Sequence, residues 1–205
     1  MSTDANAQDA IQRLYKASAR QPEIVEVPAL NFLMIDGQGD PNTSQHYHEV
    51  LEALYALSYT LKFAIKAAEK VDYSVSALEG LWWSDEMEVF LTGARDRWRW
   101  TMMMRQPVVV TPAWFERAVV EVQRKKTLPA LPHIRLESYH EGLAAQILHI
   151  GSYAAEAPTI ARLHEFIRAE GGVLAKKHHE IYLGDPRRAA PEKLKTVIRQ
   201  PFVRG

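Results

Sequence analysis

The chain has 205 residues, and its 25 Lys and Arg balance 25 Asp and Glu, so the formal net charge is zero. This balance argues against a strongly basic nucleic-acid-binding face, and the lack of cysteine excludes disulfides, thiol catalysis and cysteine-bound zinc. The polar N-terminus lacks the pattern of a signal peptide, and no apolar run approaches the ~20 residues of a membrane span, so we expect a soluble cytoplasmic protein.

An N-terminal helical extension is predicted at residues 1–23, with its helix over 5–20. The first half of the fold is expected to follow at about 24–110, in the order strand, helix, strand, strand. Its helix is indicated by apolar residues at helical spacing after a run of breaker and N-cap residues, and its strands by β-favouring runs. These four elements are predicted at 30–41, 44–70, 76–85 and 97–104.

A connecting helix at 112–126 and a linker are predicted within residues 111–132, and the second half is expected at about 133–203. A strand at 133–142 opens this half, and the order strand, helix, strand, strand then recurs. The recurring elements are predicted at 144–158, 159–172, 177–186 and 194–198.

The tripeptide RQP ends the last strand of each half, at 105–107 and at 199–201. The same order of elements with matching turn residues indicates an internal duplication. The sequence therefore predicts an α+β fold made of duplicated β-α-β-β units.

The strand HHEIYLG suggests a functional face. Alternation places Ile181 and Leu183 on one side and Glu180 and Tyr182 on the other. We expect the aliphatic side to pack on the helices, so that Glu180 and Tyr182 project from the opposite face. From alternation alone, Glu180 is as readily an ordinary exposed carboxylate, and Tyr182 a packing residue with a satisfied hydroxyl.

Four of the five tryptophans fall between residues 82 and 100. Alternation groups several of these positions on the face equivalent to that of Glu180, where they would wall a cleft or, alternatively, form an aromatic core. The candidate ligand-binding residues are Gly80, Trp82, Trp100 and Met102, with Tyr59 and Tyr139 as weaker candidates.

The histidine pairs in HYH (46–48) and HH (178–179) are poorly spaced for chelation, so no metal site is predicted. The sequence contains neither a GxSxG motif nor a Walker loop. We therefore expect no cofactor.

The segments LNFLMIDGQGDPN, ALEGLWW, WTMMMRQP and HHEIYLGDPRRAAPEKLKTVIRQP together resemble the stand-alone GyrI-like small-molecule-binding proteins. More narrowly, they are similar to the subfamily in which some members hydrolyse cyclopropane-bearing DNA-alkylating natural products. The resemblance covers about residues 24–203, and its last segment is the most specific.

This resemblance implies a curved antiparallel sheet with helices on one face and an aromatic-walled ligand cleft on the other. It also implies a hydrophobic or aromatic small-molecule ligand and a central glutamate, here Glu180, that activates water with the help of Tyr182. Because only about 25 residues precede the module, too few for a helix-turn-helix domain, no direct DNA binding is expected. Non-catalytic binding of lipophilic cations is the alternative function.

Overall fold

The computed structural model describes residues 9–84, 95–185 and 188–205, and this part contains three long helices and seven strands. The helices are α1 (Gln45–Glu69), α2 (Pro112–Lys125) and α3 (Ala157–Ala169). The strands are β1 (Glu23–Gln38), β2 (Leu78–Trp83), β3 (Arg99–Gln106), β4 (Arg135–Ile150), β5 (Gly172–Leu174), β6 (His178–Tyr182) and β7 (Lys195–Arg204). No helix among these residues has both the length and the apolar character that crossing a membrane requires.

The chain divides into a first unit, residues 30–139, and a second unit, residues 1–29 and 140–205. In the first unit β3 is central and pairs antiparallel with β1 and with β2. In the second unit β7 is central and pairs antiparallel with β4 and with β6, and β5 pairs with its last residues. Both units thus place their last long strand between the other two, which confirms the predicted α+β fold with duplicated β-α-β-β order.

Helix α1 begins and ends where the sequence predicts. The side chain of Ser44 accepts a hydrogen bond of 3.2 Å from the backbone N–H of Tyr47 and caps the helix. Lys70 adopts a left-handed conformation, with φ of 59°, at its C-terminal end. Helix α2 likewise begins at Pro112, after the capping residue Thr111.

The predicted N-terminal helix is too long. Among the described residues only 9–13 are helical, and residues 5–8 lie outside the described part of the chain. The hydroxyl of Ser18 accepts a hydrogen bond from the backbone of Arg20, and the carbonyl of Ser18 accepts one from Leu148 of β4. Contacts with β4 therefore replace helical hydrogen bonds in this segment.

Two strands predicted at the start of the second half form one strand of 16 residues, β4. Gly142, which separates the predicted strands, has a φ of 78° within it. Glycine tolerates this conformation, so the chain passes through the position and the strand continues.

Trp100 forms the centre of the core beneath α1 in the first unit. It has no exposed surface and packs against His46 at 5.8 Å and edge-on against Tyr47 at 5.2 Å, between ring centroids. Its indole N–H donates a hydrogen bond of 3.2 Å to the carbonyl of Gly39. Gly37 lies opposite Trp100 in the β1–β3 register, and a Cβ atom there would overlap the indole ring.

We therefore expect Gly37→Ala to lower the free energy of unfolding by about 1–3 kcal/mol, the usual cost of overpacking a core. Urea denaturation of the wild type and the variant measures this difference. Gly184→Ala is the control, because the atom nearest to an added Cβ there lies 3.7 Å away, on Leu194. Equal stability of the two variants would contradict the assignment of Gly37 as a close-approach position.

Candidate functional site

Glu180 and Tyr182 lie next to each other on one face of β6. The register places them opposite Ile198 and Thr196 of β7, and residues that face one another across a ladder share a face of the sheet. Ile198 belongs to the same core cluster as Leu163 of α3. Glu180 and Tyr182 therefore lie on the side covered by α3, and the prediction that they project from the face opposite the helices is wrong.

The error has a physical cause. The sequence interpretation assumed that the aliphatic side of β6 would be the side that packs on the helix. Ile181 is indeed fully buried, but it lies with Val197 and Leu148 on the opposite face. The face of β6 that carries Ile181 is fully buried and the face under α3 is partly buried, so the alternation of polar and apolar residues does not identify the helix-facing side.

The Glu180 carboxylate is held on both oxygens. The hydroxyl of Tyr182 donates a hydrogen bond of 2.8 Å to Oε2, and Nε2 of His178 lies 3.2 Å from Oε1. The side chain of Glu180 retains 15% of its accessible surface. The ring of Tyr182 packs edge-on against Tyr153 at 5.5 Å. The result is an oriented carboxylate beside two aromatic rings that is still accessible from outside.

Glu156, immediately before α3, is a candidate site residue that the sequence interpretation missed. It is only 4% exposed, and its Oε1 is buried without a hydrogen-bond partner among the described residues. Burial raises the pKa of Glu156 to about 9, the negative charge of Glu180 adds to the effect, and the hydroxyl of Thr196 opposes it. Glu156 therefore keeps its proton at neutral pH while it faces Glu180.

This proton makes stability depend on pH. The pKa of Glu156 is about 9 in the folded protein, above its ordinary value of 4.5, so the folded state binds the proton more tightly than the unfolded state between these values. The stability from this group is complete below pH 4.5 and is lost as the pH rises to about 9.

We expect Glu156→Gln to be more stable than the wild type at pH 8, in urea denaturation at a series of pH values. An unchanged pH dependence would contradict the assignment.

Two further histidines lie in the layer between α3 and the sheet of the second unit. His149 contacts Thr159 of α3 through Nδ1 at 2.9 Å and the carbonyl of Ser152 through Nε2 at 3.2 Å. Burial lowers the pKa of His164, and the charges of His178 and Arg168 lower it further, against a hydrogen bond from Gln200 that raises it. The layer beneath α3 is thus rich in titratable groups.

The four candidates on the strands β2 and β3 share one face of the sheet, as their alternation predicts. Gly80 lies opposite Met102, and Trp82 lies opposite Trp100, in the β2–β3 register. Trp100 and Met102 have no exposed surface and Trp82 is 6% exposed. The contacts of Trp100 with His46 place this face against α1. These residues form core in the structure, and their part in ligand binding stays a prediction.

The two weaker candidates also lie in the first unit. Tyr59 of α1 is 47% exposed and stacks on Phe63 at 6.2 Å between ring centroids. Tyr139 packs edge-on against Phe32 at 6.5 Å, beside a cluster on the face opposite α1. Tyr59 is free to contact a ligand, whereas Tyr139 is largely occupied in packing.

A buried ionic network lies on the face of β6 opposite Glu180, the face that carries His179. Glu141 receives a hydrogen bond of 2.9 Å from Arg199 and contacts Nδ1 of His179 at 2.9 Å. Burial raises the pKa of Glu141, but the positive charges of His179 and Arg199 outweigh it and lower this pKa to about 2. Arg199 also donates hydrogen bonds to Gln146 and to the carbonyl of Leu14. This network anchors the backbone of β6 directly beside Glu180.

No group of three or more His, Cys, Asp or Glu within residues 9–84, 95–185 and 188–205 is arranged to hold a metal ion. One surface depression lies along α2, between Glu116 and Lys125, and another lies beside Gly142 and Lys176. Glu180 lines neither of them. The chemistry that the site offers is that of carboxyl, phenol and imidazole groups.

The chain matches a known protein family and several solved structures. The model of the GyrI-like small molecule binding domain matches residues 20–202. An uncharacterized conserved protein from Listeria innocua is 39% identical with a TM-score of 0.86, over 93% of this chain and 96% of that one. A structure described as a hydrolase from Listeria innocua is 37% identical with a TM-score of 0.81, over 94% and 96% of the two chains. The EcmrR C-terminal domain, 11% identical over 90% and 98% of the chains with a TM-score of 0.56, shares the fold. No curated protein sequence matches the chain.

Proposed function

Because the chain belongs to the GyrI-like small-molecule-binding family, we propose that it binds hydrophobic or aromatic small molecules and hydrolyses electrophilic compounds that carry a cyclopropane. The observation that carries this proposal is the accessible carboxylate of Glu180, oriented by a hydrogen bond of 2.8 Å from Tyr182. The 37% identity to a structure described as a hydrolase supports a hydrolytic reaction.

In the proposed reaction, Glu180 takes a proton from a water molecule whose oxygen attacks an unhindered ring carbon. One C–C bond of the cyclopropane breaks, and its electron pair moves to a conjugated carbonyl, whose oxygen takes up a proton from solvent. Glu180 then releases its proton to solvent, so the net reaction adds one water. Ring strain activates the electrophile, and holding the water and the ring together supplies most of the acceleration.

Aromatic rings beside the carboxylate suit a flat, electron-poor ligand. Tyr153 and Tyr182 contact each other next to Glu180, and ring faces stabilise apolar and cationic groups. We also propose the first-unit candidates as ligand-binding residues, with Tyr59 the most exposed of them. This set comprises Tyr59, Gly80, Trp82, Trp100, Met102 and Tyr139.

Non-catalytic binding of a lipophilic cation is the second candidate function. The observation that favours it is the placement of the Glu180 carboxylate beside the rings of Tyr153 and Tyr182. A carboxylate with neighbouring ring faces attracts a cation without any chemical step. In that case Glu180 is a charge partner and not a base.

The deciding experiment is an incubation of purified protein with a cyclopropane-bearing alkylator of the duocarmycin type in ¹⁸O-labelled water, followed by mass spectrometry. Catalytic formation of a product that carries one labelled water supports the hydrolase. Tight binding of a ligand whose mass does not change leaves the binding protein. The absence of both binding and turnover would overturn the proposed ligand class.

A further inference from the structure

The two units differ in what lies between the helix and the sheet. In the first unit the buried residues of α1 are apolar apart from Ser58. In the second unit the equivalent layer includes His149, Glu156, Thr196 and Glu180. Since the two units share one order of elements and one strand order, the polar layer is not a requirement of the fold.

We propose that Glu156 is a positioning residue that holds one proton against Glu180, so that the two carboxyls together carry a single negative charge while the site works. This inference rests on the proposed function only for the part that Glu180 plays in turnover. The protonation of the pair itself is a property of the ligand-free protein.

The surroundings of Glu156 disfavour its charge. The carboxyl is 4% exposed, its Oε1 has no hydrogen-bond partner in the described part of the chain, and none of the ion pairs described there includes it. Both ring nitrogens of His149 contact uncharged oxygens. An isolated buried carboxyl is far more stable with its proton than without it.

Several other titratable or charged groups face this layer from the elements around it. They are His178, Glu180 and Tyr182 of β6, His164 and Arg168 of α3, and Tyr153 before α3. His178 and Tyr182 are engaged with Glu180, and the pKa of His164 is lowered by burial. The cationic side chain of Arg168 acts on His164, and the charged group that acts on Glu156 is Glu180.

The two carboxyls therefore have distinct states. Glu180 contacts Tyr182 and His178 through its two oxygens and acts as the carboxylate, while the buried Glu156 carries the proton. That proton keeps a second negative charge away from Glu180. Loss of the Glu156 proton at high pH would place two negative charges together and displace Glu180.

The test is a pH titration of ligand-free protein with ¹³C-labelled glutamate carboxyls, followed by NMR. We expect one carboxyl to titrate near pH 9 in the wild type and this titration to be absent in Glu156→Gln. In Glu180→Gln the same midpoint falls, because a neighbouring negative charge has been removed. Thr196→Val raises it, because Thr196 favours the ionised form.

A wild type in which no glutamate carboxyl titrates above about pH 6 would overturn the proposal, since ordinary glutamates titrate near 4.3. Persistence of the high titration in Glu156→Gln would overturn it as well. These results do not depend on turnover, so a failure of the proposed hydrolysis is distinguishable from a failure of the shared proton.

The second readout is the pH profile of kcat/KM with the cyclopropane substrate. The amide in Glu156→Gln imitates the protonated acid and cannot ionise, so we expect this variant to show no loss of activity as the pH rises through 9. The wild type should lose activity over that range. The same alkaline loss in Glu156→Gln would show that Glu156 has only a structural role.

Discussion

Glu180→Gln is expected to lower kcat for cyclopropane hydrolysis by about 10²–10⁴-fold, the usual contribution of a general base. The amide has nearly the shape of the carboxylate and can still accept the hydrogen bond from Tyr182, but it cannot take a proton from water. The fold should therefore persist while the chemical step is lost. Single-turnover kinetics with saturating protein, together with ligand binding by fluorescence, measure the two effects separately.

Glu165→Gln is the matched control, because it makes the same substitution at an exposed position of α3. Tyr182→Phe completes the series, since it removes one donor from Glu180 and leaves the base in place. We expect a loss of about tenfold for it, equivalent to one hydrogen bond of about 1–1.5 kcal/mol. If Glu180→Gln weakened binding of a cation and left turnover of a neutral substrate unchanged, Glu180 would be a charge partner and the base would lie elsewhere.

Local patterns carry most of the fold. The spacing of apolar residues and the capping residues around Ser44 predict α1 to within a residue at each end. The repeated RQP and the matching turns predict the duplication, which the strand order of each unit reproduces. The N-terminal helix is predicted too long, because Ser18 within the predicted range pairs instead with Leu148, which is distant in the sequence.

The site is predicted only in part, for a related reason. Alternation along β6 correctly places Glu180 and Tyr182 side by side, since that relation is local. The face that they share depends on which side α3 covers, and the burial of Ile181 on the other side removes the signal. Glu156 carries no local signal, because it looks like an ordinary acidic residue before a helix and reaches Glu180 only through the packing of α3.

Arg199→Met is expected to lower the free energy of unfolding by about 3–5 kcal/mol, because it removes one of the two cationic partners of the buried Glu141 carboxylate. Arg199 is 2% exposed, and its guanidinium donates to Glu141 at 2.9 Å and to Gln146 at 3.0 Å. Met fills a similar volume, so the cost comes mainly from the charge of Glu141, which keeps His179 but loses Arg199. Urea denaturation at pH 7 measures it, with Arg204→Met at an exposed position of the same strand as control.

Two measurements test whether the charge of Glu141 causes this loss of stability: the pH dependence of unfolding and a double variant. The pKa of Glu141 is about 2, below its ordinary value of 4.5, so the stability from its charge is present above pH 4.5 and is lost as the pH falls towards 2. The difference in the free energy of unfolding between the wild type and Arg199→Met should therefore become smaller at acidic pH. Adding Glu141→Gln removes the negative charge that Arg199 no longer balances, so the double variant should lose less stability than the sum of the single losses. His179 links this network to the strand that carries Glu180. A stability of Arg199→Met equal to that of Arg204→Met would contradict the stabilising role of the network in that strand.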